Sequence, residues 1–403
     1  MTRGPIRAAC LIVLCTSTSA RGQLLLASDP VAFGGGRVTI GGDVSGSYGT
    51  KDPGFYTYTD YQYSTLRRFR AGLSGQVTAG EHFAVLGELR VENATTPYAR
   101  ALYLRVQPWS SHGPEFRIGR LPPTFGAFAG RAYSPDNPLV GYPLAYQYLT
   151  SLRPDAIPAN ADELLAMRGR GWLSSYSLGN ASRDNGVPLA EAVRGDTGIQ
   201  AKWANEVVSA TGSVTTGTLA NPLLADDNGG RQIAGRFTVK PVVGLILGAS
   251  ASRGAFVDSN AADAAKANDQ NRFTQAAWGA DAEYSRGYYL IRFETILSQW
   301  TLPPWNAPLL DRPVRAAAFS IEGKYKIIPG LYAAARFDHL GFSTLTGSAG
   351  PNSWEAPVKR LEMGGGYSLQ RNLILKASYQ HNTRDTFYMP SADLVAAEVV
   401  FWF

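Results

Sequence analysis

The stretch Ala392-Asp393-Leu394-Val395-Ala396-Ala397-Glu398-Val399-Val400-Phe401-Trp402-Phe403 puts Val395, Ala397, Val399, Phe401 and Phe403 on alternate positions. In an extended chain successive side chains point to opposite faces, so this spacing describes a strand with one apolar face. The pattern recurs upstream. Phe83, Val85, Gly87, Leu89 and Val91 alternate with Ala84, Leu86, Glu88, Arg90 and Glu92. Tyr289, Ile291, Phe293 and Leu297 alternate with Arg292, Glu294 and Ser298, and Leu361, Met363 and Tyr367 with Arg360, Glu362 and Ser368. A helix has a period near 3.6 and cannot keep these two sets apart.

A soluble sandwich also alternates, so segment length decides. The alternating segments run 9–14 residues, where strands of soluble proteins cluster at about 5–6. A tilted strand needs about 9–11 residues to cross a bilayer. The connections alternate as well. Short ones fall at Ala79-Gly80-Glu81, Ala204-Asn205, Pro241-Val242-Val243, Ser285-Arg286-Gly287, Ile328-Pro329-Gly330 and Gln370-Arg371-Asn372. Long ones fall near 49–65, 122–194, 218–230, 255–273, 300–312, 342–357 and 384–391. Short turns at one end and long loops at the other are the plan of a transmembrane β-barrel.

The expected fold is therefore all-β: a transmembrane antiparallel barrel of about sixteen strands, with fourteen to eighteen allowed by the pattern. The strands are read at 37–48, 66–78, 82–93, 98–107, 115–121, 195–204, 206–217, 231–240, 244–254, 274–284, 288–299, 313–326, 330–341, 358–369, 372–383 and 392–403. Trp203, Tyr284, Tyr289, Tyr325 and Tyr367 fall beside the short turns on the apolar face. There, amphipathic rings form a girdle at headgroup level.

Composition fits this plan. Charged residues make up 17% of the 403 residues, below the roughly 25% of ordinary soluble domains. No stretch approaches 18 continuous apolar residues, which excludes a helical membrane protein. The net charge of +6 is scattered, which argues against a nucleic-acid partner. Arg3 and Arg7, an apolar core from Ala8 to Cys15 and the small residues Thr18-Ser19-Ala20 read as a signal peptide over 1–22. That leaves 23–403 as a single barrel domain. Both cysteines, Cys10 and Cys15, fall in the signal segment. The exported chain then has no disulfide, thiolate metal site or cysteine nucleophile.

A last strand closing on an aromatic residue resembles the signal by which bacterial outer-membrane proteins are handed to the barrel-assembly machinery, with Phe403 in that role. The overall plan resembles the sixteen-stranded porin superfamily across nearly the whole exported chain. The segment Ile118-Gly119-Arg120-Leu121-Pro122-Pro123-Thr124-Phe125-Gly126 is similar to the Gly-Arg…Pro-Phe-Gly stretch that opens the third loop in phosphate-selective porin relatives, with Thr124 inserted before Phe125. The resemblance implies a channel for small hydrophilic or anionic solutes in the bacterial outer membrane. It also implies contact with lipid and lipopolysaccharide, a homotrimer, and a third outer loop, 122–194, folded into the lumen. Small-residue runs at Ala316-Ala317-Ala318, Ala333-Ala334-Ala335 and Gly364-Gly365-Gly366 would suit the trimer's flat outer faces.

Residue chemistry supports an inward loop independently. Phe125, Phe128, Tyr133, Leu139, Val140, Tyr142, Tyr146, Tyr148, Leu149 and Trp172 give 122–194 far more apolar surface than a solvated loop needs. Asn160 and Glu163 have capping-box spacing ahead of Leu164, Leu165 and Met167, so a short helix is expected there. On the charged strand face, basic positions outnumber acidic ones fourteen to nine, which leans toward anions. The expected constriction sets Arg68, Arg70, Arg90 and Arg117 on the wall, with Arg120 at the loop's opening, against the loop residues Asp162, Glu163, Arg168 and Arg170.

Other chemistries find little support. His82 and His112 flank short turns, and His381-Asn382-Thr383 has no adjoining serine. No G-x-S-x-G elbow occurs, so no enzyme activity, and no cofactor, is expected. Asp258 and Asp263, or Asp226-Asp227-Asn228, offer carboxylates for Ca²⁺, but solvated loop carboxylates are much the stronger reading. The competing function is a barrel plugged by its own loop that serves as a receptor, adhesin or scaffold.

Overall fold

A computed structural model of the chain describes residues 30–59, 64–93, 95–109, 113–266 and 273–403. The expected signal segment, 1–22, lies outside the described residues. Sixteen strands close into one antiparallel barrel. They are β1 (Val38–Gly49), β2 (Phe69–Ala79), β3 (Phe83–Glu92), β4 (Tyr98–Val106), β5 (Glu115–Leu121), β6 (Asp196–Ala204), β7 (Val208–Thr215) and β8 (Gln232–Val242). The ring continues with β9 (Leu245–Ala255), β10 (Thr274–Arg286), β11 (Tyr289–Trp300), β12 (Val314–Ile328), β13 (Leu331–Phe342), β14 (Val358–Gln370), β15 (Leu373–Arg384) and β16 (Ser391–Trp402). Each strand expected from the alternation is present, and the count is sixteen rather than fourteen or eighteen.

The ring closes where β16 pairs with β1, from Asp43↔Trp402 to Gly49↔Ala396. Phe403 extends the seam, with its amide and carbonyl bonded to the Gly42 carbonyl and amide, each at 3.0 Å. Closure satisfies the backbone of both terminal strands, which a hydrocarbon solvent demands. A three-residue strand, Val31–Phe33, pairs with the start of β1 and stands outside the ring.

The apolar face of each strand points outward. Phe83, Val85 and Leu89 of β3 are each about half exposed, while Ala84, Leu86, Glu88 and Arg90 between them are buried. In water this outer surface would be a severe liability. Against acyl chains it is the matching solvent, so the barrel spans a membrane. The expected girdle residues Trp203, Tyr284, Tyr289, Tyr325 and Tyr367 are exposed near the short-turn ends, and Tyr289 packs on Tyr325 at 4.9 Å.

Two expectations need correction. β7 ends at Thr215 rather than 217, because the Gly217 amide turns to the Asp196 carboxylate instead of continuing the ladder. The small-residue runs are only half outward, as the period of two requires. Ala316, Ala318 and Ala334 are buried toward the lumen, and Gly366 there faces the Tyr332 ring.

The core of this protein lies inside the barrel. The connection between β5 and β6 enters the lumen with the short helices α1 (Leu144–Gln147) and α2 (Ala161–Ala166). It packs with the other long loops, including α3 (Ser259–Ala264), into one apolar cluster containing Trp300, Trp354, Phe256, Tyr142 and Leu164. Asn160 caps α2 as expected, accepting from the Glu163 amide at 2.9 Å. The reciprocal bond of a capping box is displaced by one residue, since the Glu163 carboxylate receives the Ala159 amide.

Candidate functional site: an off-centre lumen

The third loop enters the barrel at Phe125-Gly126-Ala127. Gly126 has φ +77, and a Cβ there would stand 2.2 Å from the Tyr146 hydroxyl, so only glycine fits. The Ala127 amide and Tyr146 hydroxyl both donate to Glu294 on β11, at 2.7 and 2.6 Å. Further in, Gly141 lies so close to β14 and β15 that a Cβ would meet Gln380 at 2.2 Å and Glu362 at 2.8 Å.

Buried cations on the wall hold the loop across the lumen. Arg68 and Arg70 donate to the Tyr142 hydroxyl at 2.8 and 2.9 Å, and that hydroxyl donates to the Ala132 carbonyl. Arg70 also donates to the Ala132 carbonyl and to Ser134. From the far wall Arg336 reaches the Gly141 carbonyl at 2.9 Å, and Lys376 reaches the carbonyls of Ser134 and Asn137. Arg360 donates to the carbonyls of Tyr142 and Tyr56 and to Gln147. Most of these cations also have carboxylate partners: Arg336 with Glu322, Asp338 and Glu362, and Lys376 with Glu398. Much of the expected charged lining is thus a scaffold behind the loop.

Space remains along the side of the lumen formed by β3 to β10. An outer cavity of about 410 Å³ on the long-loop side is lined by Arg68, Glu92, Tyr98, Arg120, Glu191 and Arg194 among others. An inner cavity of about 390 Å³ toward the short turns is lined by Arg100, Arg117, Arg131, Lys202 and Arg236, with Asp281 and Glu283. Cations outnumber acids in both, three to two outside and five to two inside.

Arg100 stands between the cavities. It lines the inner one, and its Nε donates at 2.8 Å to the carbonyl of Val193, which lines the outer one. Its other nitrogens donate to Glu88 at 2.9 Å, to the Tyr133 hydroxyl at 2.5 Å and to the Ala192 carbonyl. Tyr133 donates in turn to Glu88 at 2.6 Å, and Arg90 pairs with Glu88 at 2.8 Å. Together Arg100, Glu88, Tyr133 and Arg90 form a septum. Strict alternation gives no sign of Arg100, because it puts Ala101, Tyr103 and Arg105 inward. A β-bulge causes the difference: Glu88 pairs with Ala101 but Leu89 pairs with Ala99, which turns both Arg100 and Ala101 inward.

The other expected site residues divide by height. Arg68, Arg70 and Arg90 come together around Tyr142 and Tyr133. Arg117 lies below the septum, bonded to Glu115 and Gln200. Arg120 pairs with Leu102, whose side chain faces outward, yet it lines the rim of the outer cavity. Asp162, Glu163, Arg168 and Arg170 do not oppose these arginines. Asp162 accepts from the amide and hydroxyl of Ser348, which hold its carboxyl below the usual range. Glu163 is bonded to Ser177, and Arg168 reaches Asp385 at 2.7 Å. Arg170 is exposed. The helix carrying the acids caps the loop on the outer side, so the groups facing the wall arginines are tyrosines and carbonyls.

Glu355, fully buried among the outer loops, accepts from the amides of Ser151, Gly169 and Ala356, and burial raises its pKa. Two of the loop acids considered for Ca²⁺ are engaged: Asp258 caps α3, and Asp226 accepts from the amides of Asn228 and Gly229. Among the described residues no cluster of three potential metal ligands occurs.

Solved structures with this architecture are numerous. An anion-selective porin from Comamonas acidovorans superposes with a TM-score of 0.55 at 12% identity, over 91% of this chain and 99% of that one. The chain has the fold of the outer-membrane porins. A loop-deletion form of OmpT, an outer-membrane protein of Vibrio cholerae, matches this porin fold with a TM-score of 0.54 at 12% identity, over 91% and 99% of the two chains. The outer-membrane channel DcaP of Acinetobacter baumannii gives 0.51 at 12% identity, over 91% and 97%. No family model and no curated protein matches the sequence.

Proposed function

We propose that this barrel is a channel of a bacterial outer membrane that passes small hydrophilic solutes by diffusion and favours anions. The observation that carries the reading is the pair of cation-rich cavities on the two sides of a single side-chain septum. Arg100 lines the inner cavity and bonds to Val193, which lines the outer one, so a shift of the septum would join the two. The cation excess in both cavities raises the local concentration of anions. One solved structure of the same fold is an anion-selective porin. Lipid and lipopolysaccharide would surround the barrel, Phe403 would mark it for the assembly machinery, and three copies would associate through its outer faces.

One observation favours the plugged-barrel reading. On the wall away from the cavities the outer half is filled by an apolar cluster, with Trp300 packed on Trp354 at 5.9 Å. A barrel sealed throughout by that cluster would present its loops to a partner instead. Conductance of the purified barrel in a planar bilayer separates the two: discrete current steps support the channel, and a silent, correctly inserted barrel supports the plug.

A further inference from the structure

Of the five cations that line the inner cavity, four lie within ion-pair distance of a carboxylate. Arg100 is 2.9 Å from Glu88, Arg117 2.5 Å from Glu115, Arg131 3.7 Å from Glu322 and Arg236 2.6 Å from Asp281. The fifth, Lys202, has neither an ion pair nor a hydrogen bond among the described residues. Glu115 stands opposite Lys202 in register, but its carboxylate is bonded to Arg117. Ile199, Ala201 and Trp203 of β6 face outward, so the period of two turns Lys202 into the lumen, where it is half-buried on the cavity wall. Thr211 of β7 pairs with Lys202 on one side and with Arg236 on the other. These three side chains form a row about 10 Å long, two strand spacings. The Thr211 hydroxyl is half-buried in the cavity wall and has no partner among the described residues. One step nearer the short turns, the Ser209 and Thr238 hydroxyls lie 2.5 Å apart on the same wall. Pro122 and Pro123 of the third loop add an apolar face.

We infer that the inner cavity binds sugar acids, six-carbon chains with one carboxylate and several hydroxyls. The carboxylate takes the ammonium of Lys202, the one lining cation without a carboxylate of its own. The hydroxyls run along Thr211 toward the Arg236–Asp281 pair and over Ser209 and Thr238. Serine and threonine hydroxyls both donate and accept, as sugar hydroxyls do, so the row suits a polyol and offers nothing to a plain alkyl chain. The C–H face of the chain lies against the two prolines. A cavity of about 390 Å³ is in the range of small-molecule sites. The inference specifies a solute class for the proposed channel, and rests on that reading only for the solute's later passage.

The test is calorimetric titration of the whole barrel in detergent, which needs no conductance. Four probes are used: D-gluconate; hexanoate, which keeps the carboxylate without the hydroxyls; D-glucitol, which keeps the hydroxyls without the charge; and D-glucarate, which has a carboxylate at each end. Gluconate is expected to bind saturably, and hexanoate and glucitol each about tenfold or more weaker, because each loses one set of contacts. Glucarate should bind no tighter than gluconate. Lys202→Gln should bring gluconate down to the level of glucitol, and Thr211→Val should weaken gluconate several-fold without changing hexanoate, while Arg286→Gln at a short turn changes neither. Strand content and heat-modifiable migration confirm that each variant is folded. Equal binding of hexanoate and gluconate would show a plain anion site, and tighter binding of glucarate a site for two carboxylates. Either overturns the inference, as does a folded barrel that binds no gluconate or a Lys202→Gln barrel that binds it unchanged. Current recordings on the same preparation report separately on the channel.

Discussion

Arg360 is the side chain whose removal most directly tests how the third loop is held. It is fully buried and donates to the Tyr142 carbonyl at 3.0 Å, to Gln147 Oε1 at 2.7 Å and to the Tyr56 carbonyl at 2.7 Å. Arg360→Leu keeps an apolar stem and leaves the two acceptors on the third loop, the Tyr142 carbonyl and Gln147 Oε1, without this donor. At about 1–2 kcal/mol for each unsatisfied buried acceptor, docking of the loop weakens on the order of 2–4 kcal/mol. At 1.4 kcal/mol per tenfold, even the lower bound raises the undocked population roughly thirtyfold. The barrel itself should persist, since its backbone ladder does not pass through this side chain. Chymotrypsin reads the effect. The bonds after Tyr146 and Tyr148 are shielded by the loop's docking, whereas Phe387 is fully exposed and provides an internal control. Cleavage after Tyr148 should accelerate by about the same thirtyfold, because it tracks the open population, with cleavage after Phe387 unchanged. If Tyr148 stays protected in a variant whose strand content is intact, the wall cations do not hold the loop and the reasoning fails.

Two further outcomes are expected. Arg100→Ala should merge the two cavities and raise single-channel conductance, whereas a variant in the scaffold behind the loop should not; an unchanged conductance would place the constriction elsewhere. Asp227, in the outer loop before β8, has its pKa pushed up to about 6 by burial and by the neighbouring Asp258. A carboxyl raised in the folded state binds its proton more tightly there than in the unfolded chain. Its contribution is therefore fully present below the unfolded value, near 4, and is lost as pH rises through about 6. Asp227→Asn should leave the thermal midpoint unchanged at pH 4 and raise it at pH 8, and an equal shift at both pH values would exclude this group as the cause.

The strand plan was legible because the solvent outside a barrel is apolar and the lumen is wet, so every strand carries the same two-residue period. Register defects are invisible to that period. The bulge that swings Arg100 inward changes pairing by one residue without changing composition, so its direction was not legible, whereas the inward direction of Arg68, Arg70 and Arg90 was. The entry of 122–194 into the lumen was readable from its aromatic content. The height of each loop residue was not, because α2 is placed by contacts distant in sequence, such as Asp162 with Ser348 and Arg168 with Asp385. The Asn160 cap is local chemistry and was found. The small-residue runs misled because alanine suits both faces of a strand.

Whether the two cavities are halves of one path is tested most directly by planar-bilayer conductance of the refolded barrel, with the reversal potential read in a salt gradient. Stepwise openings and a reversal potential of the sign given by anion preference are expected. Inserted, heat-modifiable barrels that give no steps at any voltage would contradict a continuous path.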